Sequence, residues 1–167
     1  MSASRDISTF PQEDTRRVFY AQNYEWALKM TFRYLGSYEA AVATVHHTFL
    51  NLFRSAEQGI VKAIFIKAAV DAALQREAQD TIAVRAAHAQ TYLRDLAVWV
   101  GDGANSSEYR NAIAQLLLLP LLPRLAYNIC IIDGCSDTEA AGLLGISERQ
   151  LAGHVQKART LLRNAMG

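Results

Sequence analysis

The chain has 167 residues, which is room for one domain or two small ones. Hydrophobic residues make up 51% and charged residues 20%, a balance that is typical of globular chains and excludes an intrinsically disordered one. The formal net charge of +1 is lower than that of a strongly basic nucleic-acid-binding protein, and by itself it indicates no class of partner.

The sequence predicts neither a membrane span nor a disulfide framework. The longest apolar run, 116–123, has 8 residues and two prolines, whereas a spanning helix needs about 20 apolar residues. Residues 1–14 lack the apolar core of a signal peptide. Two cysteines, Cys130 and Cys135, are too few for a disulfide framework. We therefore expect a cytoplasmic protein with no membrane insertion.

The amino-acid composition favours helices throughout. Alanine and leucine, two of the strongest helix formers, account for 27 and 19 residues. Proline occurs at three positions, and none of them lies between residues 12 and 119. The chain is therefore predicted to be all-α, with two small helical domains joined by a flexible linker.

The first block, residues 1–100, is predicted to contain four helices. The first is expected over about 14–35, the second after Ser37, the third over about 60–77 and the fourth over about 79–100. Gly36 is placed to end the first helix, and Ser37 is suited to cap the second. Apolar residues recur at helical spacing in the first three. The expected stripes are Val18, Ala21, Trp26, Met30 and Tyr34; Ala41, Val45, Thr48, Phe49, Leu52 and Phe53; and Ile64, Ala68 and Ala72.

Residues 101–107 are the clearest linker, because two glycines and several small polar residues fall within seven positions. This linker divides the chain into the first block, 1–100, and a second block, 108–167. The second block is predicted to begin with a helix over about 108–119. Another helix is expected to begin near Pro123, which suits a first helical turn, and to end near 133–134.

The last 33 residues contain the sharpest local signals. Ser136 with Glu139, and Ser147 with Gln150, have the spacing of capping boxes. Gly145 is placed to end the first of the two helices that these boxes begin. Two capped helices joined by a turn of about three residues are typical of a helix-turn-helix, although a plain helical hairpin has the same pattern.

Basic residues are concentrated in the second of these helices. Residues 146–167 contain four basic residues and one acid, a local charge of +3. In a helix-turn-helix, the N-terminal part of the second helix contacts base edges in the major groove, where arginine can bind guanine and glutamine can bind adenine. The candidate DNA-binding residues on this helix are Arg149, Gln150, Gly153, His154 and Lys157.

The motifs of the second block resemble the promoter-binding domain of bacterial sigma-70 family factors, in particular the two-domain extracytoplasmic-function group. The shared features are Leu-Pro followed four residues later by an arginine, an "EGLS"-like turn, an "EIAxLLGIS"-like helix and turn, and a basic "RAR"-like end. They correspond here to 119–124, 133–136, 139–147 and 157–159. The resemblance implies that the second block reads the (−35) promoter element and adds Arg124 and Arg159 to the DNA-binding candidates.

The first block resembles the same family in outline, through 32–36, 48–54 and the start of the third helix at 62–63. The resemblance implies that this block binds the clamp of core RNA polymerase and the upstream edge of the melted (−10) element. The implied polymerase-binding residues are Val42, Val45, His46, His47 and Asn51. The implied single-stranded DNA-binding residues are Lys62, Lys67 and Asp71.

Several positions depart from the family pattern. The acidic run that usually precedes Thr48 is replaced by neutral residues over 40–47, and a usual Gln-Glu pair is His46-His47. Ile64 replaces a tryptophan, and Asp71 places a negative charge near the expected single strand. Loss of stacking and cationic groups weakens nucleic-acid binding. Because the lost acidic run is the family's main contact with core polymerase, a second interpretation is a sigma-like mimic that binds an anti-sigma factor or another protein without initiating transcription. A third is a simple DNA-binding regulator that uses the second block alone.

No enzyme, cofactor or metal site is predicted. His46 and His47 point about 100° apart on a helix, and no ligand three or four residues away completes a site. Cys130 and Cys135 are interpreted as buried free thiols. The residues of a phosphate-binding loop or a catalytic triad do not occur at the required spacing.

Overall fold

A computed structural model describes residues 13–54, 61–77 and 106–167 of the chain. In these segments the fold is all-α, as predicted, and consists of seven α-helices and one π-helical segment. The helices are α1 (Glu13–Leu35), α2 (Tyr38–Arg54), α3 (Val61–Glu77), α4 (Ser106–Leu118), α5 (Leu121–Tyr127), α6 (Asp137–Leu144) and α7 (Glu148–Met166), and the π-helical segment, Asn128–Ile132, continues α5.

The turn between α1 and α2 forms as its sequence predicts. Gly36 has a φ of +65°, and its N–H donates to the Phe32 carbonyl at 2.9 Å. Ser37 then caps α2, because its Oγ accepts the N–H of Ala40 at 3.2 Å. A Cβ at position 36 would lie 3.3 Å from Cδ2 of Leu117, so the small size of Gly36 also allows α4 to pack closely here.

Helices α1, α2 and α3 pack around aromatic side chains. Phe49 of α2 is at the centre, with its ring 4.7 Å from that of Tyr20 and 5.0 Å from that of Phe65. The predicted α2 stripe is confirmed at Ala41, Val45, Thr48, Phe49 and Leu52, which are all buried.

The predicted stripes of α1 and α3 are partly wrong. Val18, Ala21 and Trp26 are exposed, whereas the C-terminal half of α1 is buried on several sides because α2, α3 and α4 all contact this helix. In α3, Ile64, Ala68 and Ala72 are half-buried. The fully buried α3 residues lie one or two positions further on and are Phe65, Ile66, Ala69, Val70 and Ala73.

The two blocks share one hydrophobic core. Buried residues of α1, α2 and α3 form a continuous cluster with buried residues of α4, α5, α6 and α7. Helix α4 begins at Ser106, inside the predicted linker. Residues 101–105 and the helix predicted over 79–100 lie outside the described residues. The division into two domains stays a prediction, whereas contact between the blocks is a feature of the structure.

Within the described segments, none of the helices combines the length and the apolar character that crossing a membrane requires.

Candidate nucleic-acid interface

Helices α6 and α7 begin with the two predicted capping boxes. Ser136 Oγ accepts the N–H of Glu139 at 3.2 Å, and Glu139 Oε2 accepts the N–H of Ser136 at 3.1 Å. The second box repeats this arrangement, with distances of 3.1 Å and 3.0 Å between Ser147 and Gln150. These bonds satisfy N–H groups that a helix N-terminus otherwise leaves without partners, which explains why both helices begin where they do.

The turn between α6 and α7 is held at both of its ends. Gly145 has a φ of +66°, a left-handed conformation that favours glycine, and the N–H of Ile146 donates to the Ala141 carbonyl at 3.1 Å. The hydroxyl of Thr138 donates to Glu148 Oε1 at 2.8 Å and so links the first turns of the two helices. The two helices therefore have a defined relative placement.

Helix α7 has one buried and one exposed side. Leu151 and Ala158 are buried, and the other predicted core residues of this stretch, Ile146, Val155 and Leu162, are half-buried. Most of its other residues are exposed, and all four cations of the helix are among them. Of the predicted DNA-binding residues on α7, those that are exposed are Arg149, Gln150, Gly153, Lys157 and Arg159, whereas His154 is half-buried.

The capping role of Gln150 limits what its side chain can bind. Its Oε1 accepts hydrogen bonds from both the N–H and the Oγ of Ser147. Bidentate recognition of adenine requires the amide oxygen as well as the amide nitrogen. Arg149, which has no capping role, is therefore the stronger candidate for base recognition.

Arg124 is placed differently from the prediction. Its residue surface is 7% exposed, and its Nη1 donates to the Leu117 carbonyl at 3.1 Å. The guanidinium therefore links α5 to the end of α4 inside the second block. This position corrects the prediction that Arg124 contacts DNA, because a buried guanidinium does not reach a phosphate.

The predicted polymerase-binding residues are divided between the surface and the core. His46, His47 and Asn51 are exposed on α2, and the Tyr20 hydroxyl lies 3.0 Å from His46 Nε2 in a hydrogen bond. Val42 is half-buried, and Val45 is fully buried in the core. Val45 is therefore a packing residue and not a surface contact, which corrects that part of the prediction.

The predicted single-stranded DNA residues lie along α3, where each has a protein partner. Lys67 Nζ pairs with Asp71 Oδ2 at 2.8 Å, one helical turn away. Lys62 Nζ donates to the carbonyl oxygen of Asp133 at 2.8 Å, across the boundary between the blocks. A groove between α2 and α3 brings Lys67 and Asp71 together with His47 and Asn51, so predicted polymerase-binding and DNA-binding residues line one surface.

Sequence reasoning missed a buried polar network between the blocks. Its members are Arg33 and Tyr34 at the end of α1, and Asn128 and Asp133 in and after the π-helical segment. Burial and the adjacent Asp133 carboxylate raise the pKa of the Tyr34 hydroxyl, so it stays a hydrogen-bond donor. No sequence signal marks this network, because its partners lie about a hundred positions apart along the chain.

Both cysteines are free thiols, as predicted, although each is half-buried and not fully buried. Burial is the main cause that raises the pKa of each thiol, and nearby carboxylates raise it further. Among the described residues, no three histidine, cysteine or acidic side chains are grouped so that they could hold a metal ion.

The chain matches none of the protein-family models and none of the curated proteins with which it was compared. The resemblance to sigma factors therefore remains a prediction that depends on the motifs of the sequence.

Proposed function

We propose that this chain is a sigma-70-like transcription initiation protein, which binds core RNA polymerase and directs it to specific promoters. In this proposal α7 reads the (−35) element from its N-terminal half. The observation that carries the proposal is the exposure of three cations on α7, Arg149, Lys157 and Arg159, while Leu151 and Ala158 of the same helix are buried. The capping box and the Gly145 turn that fix the start of α7 support it.

The charges of α7 suit a DNA-binding helix better than an ordinary surface helix. Cations stabilise a helix mainly from its last turn, where they interact with the negative end of the dipole. Arg149 instead lies in the first turn, directly after Glu148, and Lys157 lies in mid-helix. At these two positions a cation gains little from the helix dipole, and in this proposal both serve phosphate and base contacts.

Replacing Arg149 with alanine is expected to weaken binding to the preferred DNA by about 1–3 kcal/mol and to relax the preference at one base pair. The matched control is Arg163→Ala, which removes the same charge from the exposed C-terminal end of α7. The control is expected to weaken binding to every sequence by about the same amount, and this loss is expected to be smaller than that of Arg149→Ala. Enrichment sequencing from a random duplex library, with affinities measured at two salt concentrations, separates the two effects.

The result that contradicts base recognition by Arg149 is an unchanged base preference in the Arg149→Ala protein. If the unaltered protein selects no sequence from the library and binds no duplex at low salt, DNA binding by α7 is contradicted as a whole.

A second candidate function, a sigma-like mimic that occupies a protein partner, is favoured by the surface of α2. This helix contains one acid, Glu39, and its later exposed positions are neutral or basic: Ala43, His46, His47, Leu50, Asn51 and Arg54. In the family that it resembles, acids on this helix form the main contact with core polymerase. A mimic does not need that contact.

Introducing an acid on α2 distinguishes the two candidates. Ala43 is exposed whereas Ala40 is half-buried, so Ala43→Glu adds a charge without disturbing the core. If the chain is a working sigma factor, one added surface ion pair is expected to strengthen binding to core polymerase by about two- to fivefold. Gln22→Glu, which adds the same charge at an exposed position of α1, is the control and is expected to have no effect.

The measurement is a pull-down of purified core RNA polymerase at two salt concentrations. Stoichiometric binding by the unaltered protein supports the sigma-factor proposal. Absence of binding at low salt by all three proteins supports the mimic and overturns the polymerase-binding part of the proposal.

A further inference from the structure

The turn that leads into α6 lies between the two cysteines of the chain. The π-helical segment Asn128–Ile132 has its C-cap at position 133, and Gly134 follows with a φ of +72°. The N–H of Cys135 donates to the Ile129 carbonyl at 3.0 Å and so closes the turn. Cys135 is therefore the second residue beyond the C-cap, and Cys130 is the third residue before it.

This arrangement is a variant of the Schellman motif, in which a helix ends at a residue in the left-handed conformation. In that motif the side chain of the second residue beyond the C-cap commonly contacts a side chain three or four positions inside the helix end. Cys135 and Cys130 occupy these two positions. Thiols therefore stand where two apolar side chains ordinarily meet.

The hydrogen bond between Cys135 and Ile129 limits how far apart the two cysteines lie. By standard peptide geometry, the Ile129 oxygen lies about 2.8 Å from the Cα of Cys130. The 3.0 Å hydrogen bond and the N–Cα bond of Cys135 complete the path, which sets an upper limit of about 7 Å between the two Cα atoms. The bond angle at the Cys135 nitrogen shortens this separation further. Because disulfides join Cα atoms that lie about 4.4–6.8 Å apart, the separation is compatible with a disulfide.

Both cysteines are accessible to a small reagent. Each is half-buried, and the neighbouring residues Ile131, Gly134 and Ser136 are exposed. Cys135 also lines a groove of about 720 Å³ between α3 and α6. A small molecule therefore has a route to at least one of the two thiols.

The electrostatic surroundings keep both cysteines in the thiol form at neutral pH. Burial is the largest cause that raises the pKa of each thiol, and the charge of Cys135 raises the pKa of Cys130 further, which is consistent with two nearby sulfurs. The other charged groups that act on the pair are Asp133, Asp137, Glu139 and Lys62. A dithiol is strongly oxidising when its reduced form is stabilised as a thiolate. This pair has no such stabilisation, so its disulfide is expected to form slowly and to be stable once formed.

We propose that Cys130 and Cys135 are a reversible dithiol–disulfide pair, an oxidation site that ties the end of the π-helical segment to the start of α6. The oxidant is a small disulfide of the glutathione class. The thiolate of one cysteine attacks the oxidant, whose S–S bond breaks and releases one small thiol. The other cysteine then attacks the mixed disulfide, releases the second small thiol and forms the protein disulfide.

The exchange is balanced in atoms and electrons. Two cysteine thiols are oxidised, one small disulfide is reduced to two thiols, and the two cysteine protons pass to the departing thiolates. In a reducing compartment such a bond forms only under oxidising conditions, which is the usual behaviour of redox-sensing pairs. The inference goes beyond the proposed function and does not depend on it.

Oxidation is expected to stabilise the fold. The bond closes a short loop that ends directly before Ser136, the N-cap of α6, and it restricts the unfolded chain more than the folded one. Because the folded turn already brings the two residues together, the midpoint of thermal unfolding is expected to rise by about 5 °C on oxidation.

The test uses the unaltered full chain. The protein is equilibrated with reduced and oxidised glutathione at a series of ratios and then treated with an alkylating reagent, and its intact mass is measured. We expect both alkylation sites to be lost together, with no glutathione attached and no bond between chains on a non-reducing gel. The single variants Cys130→Ala and Cys135→Ala are expected to take up one glutathione at the remaining thiol.

The matched control moves one thiol to the next position and keeps the number of cysteines. Cys130→Ala/Ile131→Cys places the thiol at a position that is 41% exposed and that does not face Cys135 in the motif. Its equilibrium constant for disulfide formation is expected to be at least about tenfold lower than that of the unaltered protein. Circular dichroism identifies the folded variants, and the measurement on the unaltered protein does not depend on them.

The rate of oxidation provides a second readout. Attack requires the thiolate, and both thiols have a pKa raised above its ordinary value. The initial rate of oxidation by oxidised glutathione is therefore expected to rise about tenfold between pH 7 and pH 8.

Two thiols that still react with the alkylating reagent in a large excess of oxidised glutathione overturn the pair, as does one glutathione on each cysteine. Equal disulfide formation in the relocated variant overturns the assignment to these two positions. An oxidised protein whose unfolding midpoint is unchanged or lower overturns the tie between the π-helical segment and α6. These outcomes are independent of DNA and polymerase binding, so a failure here is distinguishable from a failure of the proposed function.

Discussion

Replacing Phe49 with alanine is expected to lower the free energy of unfolding by about 3–5 kcal/mol, because the site loses a large apolar side chain and retains part of the cavity. Phe49 is 1% exposed. Its ring packs against aromatic rings from α1, α2 and α3, with centroid distances from 4.7 to 6.2 Å. Three helices therefore lose contacts in the same variant.

Chemical denaturation with urea measures this effect, and the next residue along α2 provides a matched control. Leu50 is 50% exposed, so Leu50→Ala is expected to change the free energy of unfolding by no more than about 0.5 kcal/mol. Equal losses in the two variants would contradict the placement of Phe49 at the centre of the first block.

Replacing Asp133 alone with alanine is expected to lower the free energy of unfolding by about 3–5 kcal/mol, as much as replacing Phe49. The substitution leaves the largely buried Arg33 guanidinium without its counter-charge and the buried Tyr34 hydroxyl without its acceptor. The loss of stability arises chiefly from the buried charge that is left uncompensated, and the net stability that the ion pair contributes is a smaller part of it.

A double-mutant cycle tests that origin. Removing Arg33 as well as Asp133 is expected to lose less stability than the sum of the two single substitutions, with a coupling of about 0.5–3 kcal/mol. Asp71→Ala breaks the exposed pair with Lys67 and is expected to lose about 1 kcal/mol or less. Strictly additive losses at Arg33 and Asp133 would contradict a direct interaction between them.

Local signals in the sequence were sufficient to predict where helices begin and end. Gly36 and Gly145 have positive φ values, and Ser37, Ser136 and Ser147 cap the helices that follow them. These features depend on residues within four positions of each other, so tertiary contacts are not needed to specify them. The all-α class was predicted for the same reason, from helix propensity summed along the chain.

Burial was predicted less well where a helix has neighbours on more than one side. The periodicity of α2 identified its core face, because this helix has one apolar stripe. Helix α1 is buried on several sides towards its C-terminus, so a search for a single stripe selected exposed residues such as Val18 and Trp26. The π-helical segment after α5 likewise has no counterpart in the predicted helix over this stretch.

The candidate site was predicted in part. The predicted start of α7 and the exposure of its cations are features of the structure, because both depend on consecutive residues, whereas DNA binding by those cations stays a prediction. The predicted contacts at Arg124 and Val45 depended on the family resemblance, and the structure places both residues inside the protein. A motif identifies a residue type at a position, whereas burial at that position depends on the helices that pack against it.

The sequence by itself determined the helical class, the ends of the helices around Gly36 and Gly145, and the basic character of α7, because each depends on neighbouring residues. Only the tertiary structure decided that the two blocks share a core and that Asp133 is held by Arg33 and Tyr34. That contact joins residues about a hundred positions apart, and its physical basis, the pairing of charges removed from water, exists only after the helices have packed.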